Sequence, residues 1–235
     1  MLVDFKFDGK YVVVVGGGSE GYKKTLSFVE AGAKILVVSK TFSSGIKKLH
    51  KMKKLKLLKA EVNDGEAFVN SLTPKPDLLV AVTNDPELNA QLIKHAKSAG
   101  CIVYAIDNPS ISDFKLPALA KVGEVRIAIS TAGKSPTMAR VLRQRIEKMV
   151  TREDLLQIKL QNYLRKNLKQ RILDQKVRRK VLYQMLKNDE VKKLMKEGKF
   201  DEAKEMAMKI LKNSLIKDTS EKYSAAAVNH RLQEA

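Results

Sequence analysis

Cys101 is the only cysteine in 235 residues, there is no tryptophan, and prolines number 6. One cysteine excludes an intrachain disulfide framework and points to a reducing compartment. The N-terminus, Met1-Leu2-Val3-Asp4-Phe5-Lys6, lacks the basic-then-apolar order and the small-residue cleavage site of a signal peptide. No run approaches the ~18 consecutive apolar residues of a membrane span. These absences predict a soluble cytoplasmic protein with no membrane partner. His50, His95 and His230 are isolated, without ligand spacing, which argues against a metal site. Acidic residues are scarce too: 26 against 45 Lys+Arg, a net charge of +19. The excess is +10 over residues 1–150 and +9 over 151–235, so it is not a basic tail on a neutral body. Such a field draws an anionic partner: nucleic acid, acidic membrane or a polyanionic small molecule.

What is present is a globular composition, 44% hydrophobic, with length for one medium domain and an appendage. Tyr11–Val15, Lys34–Val38, Asp77–Val82 and Cys101–Ala105 are short apolar runs, with Leu55–Lys59 a weaker one. Continuous runs without alternation suit strands covered on both faces of a parallel sheet. Helix-length segments lie between them. The clearest is 86–99, with Pro86 in a first turn, Leu88, Leu92, Ile93, Ala96 and Ala99 on one face, and Gly100 as the stop. This predicts an α/β fold, a Rossmann-like doubly wound parallel sheet. Turn signals follow at Asp107-Asn108-Pro109 and Leu116-Pro117. Residues 124–130 alternate as a half-buried strand; lying apart from the sheet, it is expected to need an edge from a second copy. No Gly or Pro occurs between Pro136 and Gly198, so this stretch reads as helix. Leu160, Leu164, Leu168, Ile172, Val177, Val181 and Met185 give it a spacing near four. Thr151-Arg152-Glu153-Asp154 reads as a capping box, and Gly198 with Asp201 as a stop and a new N-cap. The last ~15 residues read as weakly structured.

Gly16-x-Gly18-x-x-Gly21 follows the first strand and opens a helix. Glycines there permit a tight turn and close backbone approach, and free N–H groups at a helix N-terminus suit a pyrophosphate. Glu20 places a carboxylate near that anion. The second strand ends Ser39-Lys40-Thr41, without the acidic residue that would bind a ribose diol, and Lys40 suits a 2′-phosphate, so the residues leave NAD versus NADP open. Asp107 follows the fifth strand, at the edge where such sheets place ligands, and suits a general base; the competing reading is an Asx turn. Thr131, Lys134 and Ser135, between a strand and a helix, suit binding of carboxylates or phosphates. Gly133-Lys134-Ser135 is not a phosphate loop of an NTPase, because position 128 is Ala. Seven lysines between Lys47 and Lys59 form a solvated face or an anion-attracting rim.

These pieces together resemble the precorrin-2 dehydrogenase family, the module also found at the N-terminus of siroheme synthase. The carriers are Val13–Gly18, Glu30-Ala31-Gly32-Ala33, Ala81-Val82-Thr83-Asn84-Asp85 with Leu88-Asn89, Ile106-Asp107, and Asp113-Phe114-x-x-Pro117-Ala118. The most specific run is Ile127–Pro136 with Ala139-Arg140-x-Leu142-Arg143-x-x-Ile146-Glu147. The resemblance implies NAD-dependent oxidation of precorrin-2 to sirohydrochlorin, in some members with insertion of Fe2+ as a second substrate. It implies Asp107 as the catalytic residue and Thr131 as a substrate contact. It implies a cofactor lined by Ser19, Glu20, Lys40 and Thr41 beside Gly16, Gly18 and Gly21, with Thr83 and Asn84. The architecture implied is an NAD-binding domain over 1–106, a small α+β dimerisation region over 107–149 and an α-helical domain over 150–235, working as a homodimer. The chain departs from the family pattern at Glu20-Gly21, Lys23-Lys24 and Tyr104. A polyanionic tetrapyrrole gives the positive charge a reason that needs no nucleic acid. The reading of another class is a dinucleotide-sensing regulator that binds nucleic acid, and no DNA-reading motif supports it.

Overall fold

A computed structural model describes residues 2–213. The expected weak structure of the last ~15 residues, and His230, lie outside them. The chain forms two compact units, one ending at Leu116 and the other beginning at Pro117.

In the first unit, strands β1 (Tyr11–Val15), β2 (Lys34–Ser39), β3 (Lys56–Lys59), β4 (Leu78–Ala81) and β5 (Ile102–Ala105) alternate with helices α1 (Ser19–Glu30), α2 (Ser44–Lys51), α3 (Gly65–Ser71) and α4 (Pro86–Ser98). The strands pair in parallel in the order β3-β2-β1-β4-β5. Apolar runs become central strands because both faces are covered. Val12, Val14, Ile35, Val37, Leu78 and Val80 join Phe28 and Ile46 on one side. Val13, Val15, Leu79, Ala81 and Val103 join Leu92, Ile93 and Ala96 on the other. The order reverses between β1 and β4, which opens a crevice at their carboxyl ends. At the β3 edge, the lysines that begin and end the strand are exposed, which discourages pairing with other chains.

The second unit begins with β6 (Ala118–Val122) and β7 (Val125–Ile129), joined antiparallel through Gly123-Glu124. The strand expected to stand alone at 124–130 is therefore paired within its own chain, with β6. The sequence signal was a two-residue turn opening on glycine, and Gly123 has φ +58. Helix α5 (Pro136–Met149) starts at the N-cap Ser135 with Pro136 in its first turn. Helix α6 (Arg152–Arg171) starts from a complete capping box between Thr151 and Asp154. The breaker-free stretch is further divided, without Gly or Pro, into α7 (Gln175–Lys187) and α8 (Asp189–Lys196) by side-chain caps from Asp174 and Asn188. Among the described residues a further helix, α9, runs over 200–213. Gly198 ends the preceding turn at φ +74, but Asp201 is not the N-cap. The carbonyl of Lys199 accepts the N–H of Ala203, so Phe200 already lies in the helix, packed on the core, and Asp201 sits in its first turn. Leu160, Leu164, Leu168, Val181, Met185, Val191, Met195, Ala203, Ala207 and Leu211 form this unit's core.

Candidate active site

The turn after β1 is shaped by close backbone approach. Gly16 adopts φ +126, and a Cβ on it would lie 2.3 Å from the Val82 carbonyl oxygen at the end of β4. A Cβ on Gly21, in the first turns of α1, would lie 2.2 Å from the Gly16 carbonyl oxygen. Thr41 closes the other side: its carbonyl oxygen stands where a side chain on Gly17 would go. Gly18 differs, because a Cβ there meets nothing within 4 Å. Gly18 is also the N-cap of α1, and no side chain caps the helix. The loop thus presents an uncapped helix N-terminus to open space, with the backbone bare on that side. This fits a pyrophosphate, whose negative charge a helix N-terminus favours.

Ser19 and Glu20 are exposed in the first turn of α1. The Glu20 carboxylate is turned to the Lys23 ammonium, whose hydrogen bond holds its carboxyl below the usual range. Lys40, one residue beyond β2, pairs with Glu61, two residues beyond β3. The sequence offered no acidic residue directly after β2, and the fold brings one there from the neighbouring strand.

Beyond β4, Thr83 and Asn84 lead into α4, whose first turn is capped by the Asp85 carboxylate, Oδ1 accepting from Glu87 and Leu88 N–H at 2.9 and 3.1 Å. Asn84 is exposed. Asp107 follows β5 and lines a cavity of about 350 Å³ with Pro86, Ala90, Asn108 and Ile111. Its Oδ2 accepts from the Asn89 side-chain amide at 3.0 Å. The Asx turn exists as well, formed by the next residue: Asn108 Oδ1 accepts the Ser110 N–H at 3.1 Å. The segment after Asp107 is tied along β5. The Ser112 hydroxyl accepts from Ala105 N–H at 2.9 Å, and Asp113 Oδ2 accepts from Val103 N–H at 2.9 Å. Lys97 Nζ lies 2.8 Å from Asp113 Oδ1. These anchors fix the loop that carries the carboxylate. The sequence alone assigns no role to Ser112, Asp113 or Asn89. The legible signal for Asn89 was its place in the stripe Asn89, Leu92, Ile93, Ala96, a polar residue at a buried helical register.

In the second unit, Thr131, Lys134 and Ser135 share the turn between β7 and α5. The Thr131 hydroxyl accepts from Ser135 N–H at 3.2 Å and donates to the Ser135 carbonyl at 3.1 Å. The Ser135 hydroxyl caps α5 by accepting from Met138 N–H at 3.2 Å. Both hydroxyls therefore shape the turn, while Lys134 is exposed. Ala132 takes φ +54, a left-handed conformation uncommon for a residue with a Cβ. Among the described residues no three His, Cys, Asp or Glu side chains gather as a metal site, and no helix is long and apolar enough to cross a membrane.

Residues 3–118 match the family model "Putative NAD(P)-binding", and 123–149 match "Sirohaem biosynthesis protein central". The chain is 32% identical over 192 residues to a Methanocaldococcus jannaschii protein named "Putative precorrin-2 dehydrogenase", covering 81% of this chain and 91% of that one. It is 29% identical over 209 residues to "Precorrin-2 dehydrogenase" of Methanosarcina barkeri, covering 88% and 92%. The "Siroheme synthase" of Blochmanniella floridana is 26% identical, and the match spans 44% of its length. Among solved structures, "SirC, precorrin-2 dehydrogenase" superposes with a TM-score of 0.70 at 22% identity, over 88% of this chain and 99% of that one, which shows the shared fold.

Proposed function

The chain belongs to the precorrin-2 dehydrogenase family, and from that premise we propose that it oxidises precorrin-2 to sirohydrochlorin with NAD. One observation carries the reading. The loops after β1, β4 and β5 hold the glycines, Thr83-Asn84 and Asp107, and these three strands are neighbours in the sheet. Adjacent strands lie about 4.8 Å apart, so the glycine loop and Asp107 leave the sheet about 10 Å from each other, within one ligand's reach.

The bare backbone at Gly18 and the backbone N–H groups of Ser19 and Glu20 at the start of α1 would hold the pyrophosphate, Gly16 and Gly21 shape the turn that presents them, and the Glu20 carboxylate stays turned to Lys23. Lys40 and Thr41 would face the ribose beyond β2, and Thr83 and Asn84 would close the crevice from β4. When bound, NAD supplies the acceptor for the two electrons that leave the macrocycle as hydride. Asp107 takes the accompanying proton, since a carboxylate at a cleft edge accepts one and an amide of the same shape does not. Thr131, Lys134 and Ser135 serve the substrate's carboxylates: Lys134 supplies charge, and the other two set the turn that carries it. Residues 107–149 provide the dimer contact, and the protein works in the cytoplasm as a homodimer. The likeness to siroheme synthase favours one second activity, insertion of Fe2+ as a substrate into sirohydrochlorin, with Asp107 receiving a pyrrole proton.

Anaerobic incubation with precorrin-2 and NAD, followed by absorbance, tests the reading. NADH and sirohydrochlorin should appear in equal amounts. Absence of both from folded protein overturns it. Later addition of Fe2+ tests the chelation separately, and sedimentation at micromolar concentration tests the dimer.

A further inference from the structure

Asn89 is 1% exposed, on the face of α4 that otherwise buries Leu92, Ile93 and Ala96. A polar side chain in such a place is costly unless its hydrogen bonds are made. All of them are. Oδ1 accepts from Thr83 N–H at 3.0 Å and lies 2.8 Å from the Thr83 hydroxyl. Nδ2 donates to the Thr83 carbonyl at 3.2 Å and to Asp107 Oδ2 at 3.0 Å. Both amide protons are used and the oxygen accepts the Thr83 N–H, with the Thr83 hydroxyl, whose one proton also has the Asp85 carbonyl at 3.1 Å, beside it. The direction of the amide is not arbitrary either. A backbone N–H can only donate, so the atom facing Thr83 N–H must be oxygen, and the atom facing Asp107 must be the NH2. Asn89 is thus clamped by the loop after β4 and holds out one N–H to the carboxylate after β5.

We propose that Asn89 is a positioning residue: it fixes Oδ2 of Asp107, leaves Oδ1 as the proton acceptor, and registers that carboxylate against the Thr83 loop. The proposal rests on the reading of Asp107 as the base. Only an amide serves both ends, because the Thr83 side demands an acceptor and the Asp107 side a donor.

Asn89→Asp separates the two ends. It keeps an oxygen for Thr83 and replaces the donor facing Asp107 with a second carboxylate oxygen. Two carboxylates in contact hold a proton between them, which removes the acceptor. Turnover of precorrin-2 should fall on the order of 10²-fold, with the NAD dissociation constant and the precorrin-2 KM changed less than about threefold. In an Asp107→Asn background the same substitution should cost nothing further. Asn89→Ser, neutral and smaller, gives up both ends and serves if the Asp variant does not fold: its turnover should fall well beyond any loss of NAD affinity. Full turnover by either folded variant, beside an inactive Asp107→Asn, overturns the proposal and leaves the base intact. An active Asp107→Asn overturns the base itself. Loss of NAD affinity and melting temperature in step with turnover would make Asn89 a mere loop clamp and overturn the proposal as well.

Discussion

Glycine does different work at two places, one in each unit. In the first, Gly16 and Gly21 stand where another side chain would collide with backbone oxygens at 2.3 and 2.2 Å, because two chain segments meet around a turn. In the second, a Cβ on Gly198 would come no closer than 3.7 Å to anything, and the residue is needed only for its φ of +74. Polar side chains cap helices in both units, and at the sheet's carboxyl edge they also tie loops together. Asn89 joins the loop after β4 to the loop after β5 through Thr83 and Asp107, and Ser112 and Asp113 tie that second loop back along β5. In the helical unit Thr151, Asp174 and Asn188 cap the helices that follow them. A shape-preserving substitution of a polar group at the sheet's carboxyl edge, away from those glycines, should therefore strike function and spare stability, and a truncation in the helical core should do the reverse.

The largest expected effect is on the functional side. Asp107→Asn should fold and bind NAD as before, yet lose on the order of 10²–10⁴-fold in precorrin-2 turnover, the usual cost of a missing general base. Single-turnover absorbance under anaerobic conditions measures it. A near-normal rate would reduce Asp107 to a loop residue and erase the contrast. The converse test is Leu164→Ala. Leu164 is 0% exposed at the centre of the helical core, and truncating such a leucine costs about 2–5 kcal/mol. Thermal unfolding should report that loss, while NAD titration stays within error of the parent. A parallel drop in NAD affinity would show that the units do not fail separately.

Gly18→Asp sharpens the comparison from inside the glycine loop. Unlike its neighbours, Gly18 has room for a side chain and an ordinary φ of −74. Aspartate is a good N-cap, so α1 should keep or gain stability. The new carboxylate would satisfy the helix N-terminus from within and repel a pyrophosphate. NAD affinity should fall on the order of 10²-fold, about 2.7 kcal/mol, by fluorescence titration. Unchanged affinity would move the cofactor elsewhere.

How far these sites could be read in the sequence depends on the physical range of the signal. β1, β2 and β4 announce themselves as apolar runs, since burial on both faces leaves little choice of residue; the edge strand β5 still shows as one, β3 with its exposed lysines only weakly, and the glycine loop follows β1 directly. The capping box at Thr151 is legible because its partners are three residues apart. The short strand Ala118–Val122 is not, because only Ala120 is buried in it. The ends of α6 and α7 escape notice because Asp174 and Asn188 do with a side chain what Gly or Pro more often does with the backbone. Asp107 is marked by its place after a strand, but Asn89 lies 18 residues away on another element, and Glu61 reaches Lys40 from another strand. Such pairings exist only once the sheet has brought its carboxyl edge together.

The smallest effect expected lies at that local end of the scale. Asp154 Oδ2 accepts the Thr151 N–H at 2.8 Å and the Thr151 hydroxyl at 2.7 Å, and the Thr151 hydroxyl accepts the Asp154 N–H at 3.2 Å. The backbone hydrogen bond first, and the hydroxyl second, hold the Asp154 carboxyl below its ordinary range. A carboxyl depressed in the folded state contributes stability above its unfolded range and loses that contribution as pH falls through the folded value. Thr151→Ala removes the N-cap and one of the two donors to Asp154. Loss of such a cap costs about 1 kcal/mol, so the helical unit should melt slightly earlier at neutral pH. The gap between parent and variant should narrow in acid, once the carboxyl is protonated in both. Far-UV ellipticity, followed through thermal unfolding at neutral pH and well below the aspartate range, reads both numbers. A gap that stays constant with pH would mean that the Thr151 hydroxyl supports the helix without help from the Asp154 charge.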